Sequence, residues 1–305
     1  VGYIGDRPAA GVLVEGLKRL EYRGYDSAGI CIGSDNRLQL IKRKGKIKDL
    51  RSILPEVIPG HYGIGHTRWA THGEVNDVNA HPHTDGTGKV AIVHNGIIEN
   101  YTLLKERLEQ EGCEVKTETD SEVIAHLISS YYDGCLEKAV KEAVLMLKGT
   151  YGIACIHSDE PGKVVGARNG SPLVLGVGND EMFLASDVTA MLAYTKQAVY
   201  LEDGEIIVVT QDHYDTFDLT EKSISKHVEL IGWELEEIEK SGFSHFMEKE
   251  IHEQSESIAR AMRGRLDREL ATGHLGGLNL TSKELLNIER VKVLAAGTSS
   301  YAGMV

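Results

Sequence analysis

A few short stretches of the sequence hold side chains that could do chemistry. The densest is His66-Thr-Arg-Trp-Ala-Thr-His-Gly73. There Arg68 could clamp a carboxylate with its planar fork of N–H donors, and Trp69 beside it could keep water out. A surface loop with a structural Arg–acid pair would read the same way. Val90-Ala-Ile-Val-His-Asn-Gly96 ends in Asn95-Gly96, a side-chain amide next to a glycine N–H, and two such donors can hold one developing oxyanion. Asn-Gly is also a strong hairpin signal, and taken alone the turn is the better account. In Thr117-Glu-Thr-Asp-Ser-Glu122, Asp120 could meet a substrate ammonium. Alternatively, Asp120 or Ser121 could simply cap the helix that follows, which is the locally favoured account. Leu20 to Gly29 gathers Arg23, Tyr25 and Asp26 in one turn, for which buried ion pairing is the plain explanation. Asn79-Ala-His-Pro-His83 has no cysteine or acid at zinc-like spacing. Its histidines read as packed or hydrogen-bonded loop residues, so neither a metal nor a cofactor is expected.

These stretches must be positioned by regular elements. Helical spacing of Val12, Leu13, Leu17 and Leu20 predicts a helix over 8–21, with Pro8 as its entry signal. Further helices are predicted at 99–111, 120–131 and 136–147. Strands are predicted at 27–33, 37–44, 61–68 and 89–94, then at 152–157, 163–168, 173–177, 181–185, 198–201 and 205–210. Strands, then helices, then strands is not βαβ alternation; it predicts an α+β protein with segregated layers. From about Glu234 the composition turns polar and helical to about Gly264, with one more short helix at 281–288. Val291-Lys-Val-Leu-Ala-Ala296 reads as a buried strand running into Gly297-Thr-Ser-Ser300, the pattern that opens an α/β domain.

Composition narrows the function classes. The 305 residues carry a formal charge of −13, which opposes nucleic-acid binding, since that needs a basic surface to release counterions. At 41% hydrophobic the chain can build a core. No apolar run approaches the ~20 residues of a membrane span, and no signal peptide opens the chain, so a cytoplasmic protein is expected. The four cysteines, Cys31, Cys113, Cys135 and Cys155, share no CxxC spacing and read as reduced thiols.

Taken together and in order, YRGYDSAG (22–29), HTRWATHG (66–73), NAHPH (79–83), HNGIIEN (94–100) and TETDSEVIAHL (117–127) resemble the glutaminase domain of class II amidotransferases. Within that group the chain is similar to the isomerizing aminotransferases that act on fructose 6-phosphate. The later GSPLVLG (170–176), LEDGE (201–205), HFMEKEIHEQ (245–254) and LGGLNL (275–280) agree. The resemblance implies a four-layer α/β/β/α N-terminal nucleophile fold over 1–235, a helical linker over 236–290 and, over 291–305, the opening of a sugar isomerase domain. It implies that Arg68 grips the glutamine α-carboxylate and Asp120 the α-ammonium. Thr71 and His72 line the same pocket, Asn95 and Gly96 form the oxyanion hole, and Trp69 gates ammonia. Arg23 and His81 order the surrounding loops. Gly297, Thr298 and Ser299 begin a phosphosugar site. Glutamine and fructose 6-phosphate are the implied substrates, and a homodimer through the isomerase region is the implied assembly.

Two departures bear on activity. The family's nucleophile is a cysteine in a Cys-Gly-Ile that precedes the equivalent of Val1-Gly2. The chain as written lacks it, so no glutamine hydrolysis is expected from it in that form. Ala296 also stands where the family usually has Cys. A phosphoribosylpyrophosphate-type amidotransferase and a cysteine-less glutamine-binding module are the alternative readings.

Overall fold

The computed structural model describes residues 1–70, 73–232, 243–262, 266–267, 272–273 and 282–304. The chain divides into two units, Val1–Ile238 and Glu239–Val305.

The first unit is built on two antiparallel sheets. One has eight strands in the order β14-β11-β9-β10-β1-β4-β2-β3. These are β1 (Gly2–Gly5), β2 (Ser27–Ser34), β3 (Arg37–Lys44), β4 (Tyr62–Arg68), β9 (Val174–Val177), β10 (Glu181–Ala185), β11 (Gln197–Tyr200) and β14 (Glu229–Leu230). The other sheet has six strands, ordered β13-β12-β8-β7-β6-β5. They are β5 (His83–Thr84), β6 (Val90–Ile98), β7 (Gly149–His157), β8 (Val164–Asn169), β12 (Glu205–Val209) and β13 (Tyr214–Asp218).

Side-chain alternation along the strands sorts the core into three layers. Ile4 and Ile64 of the first sheet meet Ala91, Val93 and Ile156 of the second, closing the space between the sheets. On the outer face of the first sheet, Tyr3, Ile30 and Phe183 pack under α1 (Ala9–Leu20) and α2 (Ile47–Ile53). The outer face of the second puts Val90, Ile92 and Ile153 under α3 (Tyr101–Gln110), α4 (Asp120–Tyr131) and α5 (Leu136–Met146). The result is helix, sheet, sheet, helix, the expected stacking. Strand β2 lies in the interior and is buried over seven of its eight residues. That is why its apolar run reads as continuous rather than alternating.

Several elements were not anticipated. β1 is only four residues long and half glycine (GYIG), too short for a period-2 signal. β13 and α2 were also missed. The C-terminal unit, taken by itself, has helix α6 (Phe246–Met262), a strand pair Leu266–Asp267 with Thr272–Gly273, and short helices α7 (Ser282–Leu286) and α8 (Thr298–Met304). The expected strand at 291–296 is corrected: those residues form no strand, and Val291 and Leu294 are 79% and 94% exposed. A strand exists by pairing, and no described strand pairs with this run. The helix expected up to Gly264 falls partly on residues outside those described. No helix among the described residues is long and apolar enough to cross a membrane.

Candidate active site

Where β4 of the first sheet faces β6 of the second lies a cavity of about 280 Å³ lined by residues of both. From the first sheet come His66, Thr67 and Arg68 at the end of β4, followed by Trp69. From the second come His94, Asn95 and Gly96 in β6. Thr119, Asp120 and Ser121, at the start of α4, close another wall, as do His81 and Ser171-Pro172. Alternation explains the convergence. His66 and Arg68 share a parity with Ile64, and Asn95 shares one with Ala91 and Val93, all of them inter-sheet core residues.

Arg68 is 4% exposed and donates through Nη1 to the Glu74 carbonyl oxygen at 3.1 Å. Burial pulls its guanidinium below the usual value, against the opposing pull of Asp26, Asp120 and Glu118. The chain past it is pinned on both sides. Asp26 Oδ2 accepts the Ala70 N–H at 2.9 Å, and Glu118 Oε2 accepts from Glu74 N and Asn79 Nδ2 at 2.8 Å each. Asp26 is half-buried, and this bond is to main chain rather than the buried ion pair expected of it. Trp69 lies 57% exposed at the rim, edge-on to Tyr25 at 5.4 Å.

The hairpin account of Asn95-Gly96 is corrected. β6 runs straight through both residues, and they pair with Gly152 and Tyr151 of β7. Pairing along the whole strand outweighs the local turn preference. Gly96 is required where it stands: its φ is +135°, and a Cβ there would lie 2.0 Å from the Thr150 carbonyl oxygen.

The capping account of Asp120 is corrected as well. Thr119 is the N-cap residue, and it makes no side-chain cap bond. Asp120 Oδ2 instead accepts the Ile98 N–H at 2.9 Å, tying helix α4 to the strand that carries Asn95. Its other oxygen faces Ser121 Oγ at 3.3 Å. His94 Nδ1 lies 3.0 Å from that hydroxyl and its Nε2 3.4 Å from the Thr150 carbonyl. Burial lowers the His94 pKa.

His81 and His83 are packed, as expected, although His83 lies in strand β5 rather than in a loop. His81 stacks on His66, His83 Nε2 lies 3.1 Å from Thr119 Oγ1, and burial holds both well below the usual histidine range. No metal-ligating cluster occurs among the described residues. None of the four cysteines lines the cavity. Cys31 and Cys155 are buried, and burial pushes the Cys31 thiol up to about 12.

The structure thus gathers Arg68, Trp69, His81, Asn95, Gly96 and Asp120 around one cavity. Thr71 and His72 lie outside the described residues. Arg23 ends a 3₁₀ turn, Glu21–Arg23, and its side chain is not among those described. Gly297 has a φ of +60° and Ser299 lies in α8; both belong to the C-terminal unit. The motif reading overlooked His66, His94 and Ser121. His66 could have been found from its place two residues before Arg68, on the same strand face.

Residues 66–193 match the glutamine amidotransferase domain family. The whole chain aligns with curated relatives called glutamine–fructose-6-phosphate aminotransferase (isomerizing). It is 46% identical over 306 residues to that of Symbiobacterium thermophilum, covering 100% of this chain and 50% of that protein. The Methanosarcina mazei protein is 46% identical over 316 residues, with 100% and 51% covered. The chain carries the class II glutamine amidotransferase domain of the glutamine–fructose-6-phosphate aminotransferases. It spans about half the length of these relatives. Among solved structures, the glutamine phosphoribosylpyrophosphate amidotransferase of B. subtilis, complexed with ADP and GMP, is similar at 28% identity with a TM-score of 0.62. That likeness covers 73% of this chain and 49% of the other. The enzyme titled the allosteric regulatory enzyme of purine biosynthesis is similar at 28% and 0.63, over 72% of this chain and 48% of the other. These likenesses support an amidotransferase fold with two antiparallel sheets and helices.

Proposed function

We propose that this chain supplies the glutamine-hydrolysing half of an isomerizing aminotransferase that converts fructose 6-phosphate to glucosamine 6-phosphate. One observation carries the reading: Arg68, Asp120 and the Asn95-Gly96 pair converge on a single cavity. A free amino acid carries one carboxylate and one ammonium, and this cavity offers an opposite charge for each. Arg68 binds the α-carboxylate with its fork, and Asp120 takes the α-ammonium. The Asn95 amide and the Gly96 N–H stabilise the oxyanion that forms as the side-chain amide is attacked.

The attacking group is the thiol of a cysteine three residues ahead of Val1. Strand register supports that placement. β1 pairs with β4 as Gly2↔Ile64 and Tyr3↔Gly63, and Val1 N and Gly65 O are 2.7 Å apart. Continued three residues beyond Val1, the same register comes opposite Arg68. Strand parity turns that residue toward the inter-sheet side, with Gly2 and Ile4.

The thiol passes its proton to the cysteine's own α-amino group as the sulfur adds to the glutamine side-chain carbonyl. That proton is handed to the leaving nitrogen as the tetrahedral intermediate collapses to a thioester with loss of ammonia, and water then cleaves the thioester to glutamate and the free thiol. Trp69 at the rim gates the passage of ammonia toward the sugar phosphate. Thr71 and His72 complete the pocket, while Arg23 and His81 order its loops. Residues 1–235 are the glutaminase domain, 236–290 the linker, and 291–305, with Gly297, Thr298 and Ser299, the opening of a sugar isomerase domain that forms a homodimer.

The test is glutamate release by the chain extended with Cys-Gly-Ile ahead of Val1, beside the same chain carrying Ser in place of that Cys. Release by the first alone is expected; a folded cysteine form that releases none would sink the reading. The acceptor is then separated from the phosphoribosylpyrophosphate alternative by offering each sugar phosphate to the full-length enzyme.

A further inference from the structure

Asn95 donates to an oxyanion only when its amide NH₂ is turned toward the cavity. The two ends of a carboxamide are nearly equal in size, so packing alone does not choose between them; hydrogen bonds do. His66 Nε2 lies 2.8 Å from Asn95 Oδ1. A carbonyl oxygen only accepts, so Nε2 carries the proton and donates it, and the NH₂ is left for the cavity. The ring is neutral: burial pulls the His66 pKa from 6.5 to about 3. Its Nδ1 is buried and has no hydrogen-bond partner among the described residues. The bond to Asn95 is therefore the polar contact that orients this ring.

What holds the ring flat is His81, stacked on it at 4.3 Å with 20° between the planes. His81 is braced in turn. Its Nδ1 accepts the His94 N–H at 3.4 Å, one residue before Asn95 in β6, and His83 stands edge-on to it at 4.6 Å. The His66–Asn95 contact bridges the two sheets, with His66 on β4 and Asn95 on β6.

We propose that His66 is a positioning residue for the oxyanion donor: its Nε2–H fixes the Asn95 amide with the NH₂ aimed into the cavity, and His81 is the rigid backing. The inference rests on the glutaminase reading of the cavity. No proton is transferred, since the ring is neutral throughout the working range.

The test uses the chain extended with Cys-Gly-Ile and measures glutamine hydrolysis by five forms: parent, His66→Phe, His66→Gln, Asn95→Ala and the His66→Phe/Asn95→Ala double variant. Phe keeps a ring on His81 but has no N–H. Gln has no ring but brings an amide N–H to the place of Nε2. His66→Phe should lower kcat by about 10–10²-fold, part of the loss of a whole oxyanion donor, with KM for glutamine moving less than about threefold. His66→Gln should recover kcat to within about fivefold of the parent. Combined with Asn95→Ala, His66→Phe should add less than about a twofold further loss, because both act through one amide.

Losses that multiply in the double variant, or a His66→Phe enzyme with parental kcat beside a slow Asn95→Ala, would overturn the inference and leave the glutaminase reading intact. A parental kcat for Asn95→Ala would instead overturn the oxyanion reading itself. If His66→Phe does not fold, His66→Gln decides: near-parental kcat supports the role, and an Asn95→Ala-sized loss in a folded protein refutes it.

Discussion

Truncating Arg68 to alanine in the cysteine-extended chain removes the cation from the cavity wall. The side chain is 4% exposed, and the cavity also holds Asp120. A glutamine carboxylate on its fork would make charge-assisted hydrogen bonds worth ~1.5–3 kcal/mol each. Two at the lower figure come to about 3 kcal/mol, or about 150-fold in binding. KM for glutamine should therefore rise by about 10²-fold while kcat at saturation changes little, because the carboxylate contact is made equally in ground and transition states. Arg68→Lys keeps the charge but loses the planar fork, and about a tenfold rise is expected. Arg68 also donates to the Glu74 carbonyl and balances Asp26, Asp120 and Glu118, so the alanine variant should melt lower. Initial rates across a glutamine series, taken well below its melting temperature, separate the two effects. A folded Arg68→Ala enzyme with KM within about threefold of the parent would refute the carboxylate assignment.

Other outcomes follow from the same geometry. Asn95→Ala should lower kcat by about 10²–10³-fold at nearly constant KM in the glutamate-release assay. Gly96→Ala pushes a Cβ to within 2.0 Å of the Thr150 carbonyl oxygen at φ +135° and should destabilise the domain by about 3 kcal/mol in urea unfolding. Glu122 is a pH lever. Burial acts to raise its pKa, but the nearby His126 ring, 3.6 Å away, and hydrogen bonds from the Lys116 and Thr117 N–H groups outweigh that and hold it at about 2 instead of 4.5. A depressed carboxylate stabilises the fold above its unfolded value, so this contribution should be lost as pH falls from 4.5 toward 2. Glu122→Gln should flatten that limb of a melting-temperature profile. His66 is buried neutral, with its pKa pulled from 6.5 to about 3. It should subtract stability as pH falls below 6.5, and His66→Gln should remove that part of the acid slope.

The elements with strong periodicity were legible: α1, α3, α4 and α5 formed within a residue or two of the predicted spans, because each buries apolar residues at helical spacing on one face. β1 was not, since four residues with two glycines carry no period. It is held by β4 and β10 on either side, partners distant in sequence. Single-site readings failed in one consistent way. Asn95-Gly96 and Asp120 each looked like local punctuation, a turn and a cap. Both were claimed by long-range partners, β7 in one case and the Ile98 N–H in the other. Their chemistry became visible only when the motifs were taken as one set. The run at 291–296 failed in the opposite direction: its β-branched residues satisfy strand propensity, but no described strand lies beside it.

Everything proposed for this chain turns on the cavity between β4 and β6 being a glutamine site. Isothermal titration of glutamine into the chain as it stands tests this directly. One molecule should bind per chain, with binding weakened about 10²-fold by Arg68→Ala. Absence of binding to the folded chain, or affinity unchanged by Arg68→Ala, would contradict it.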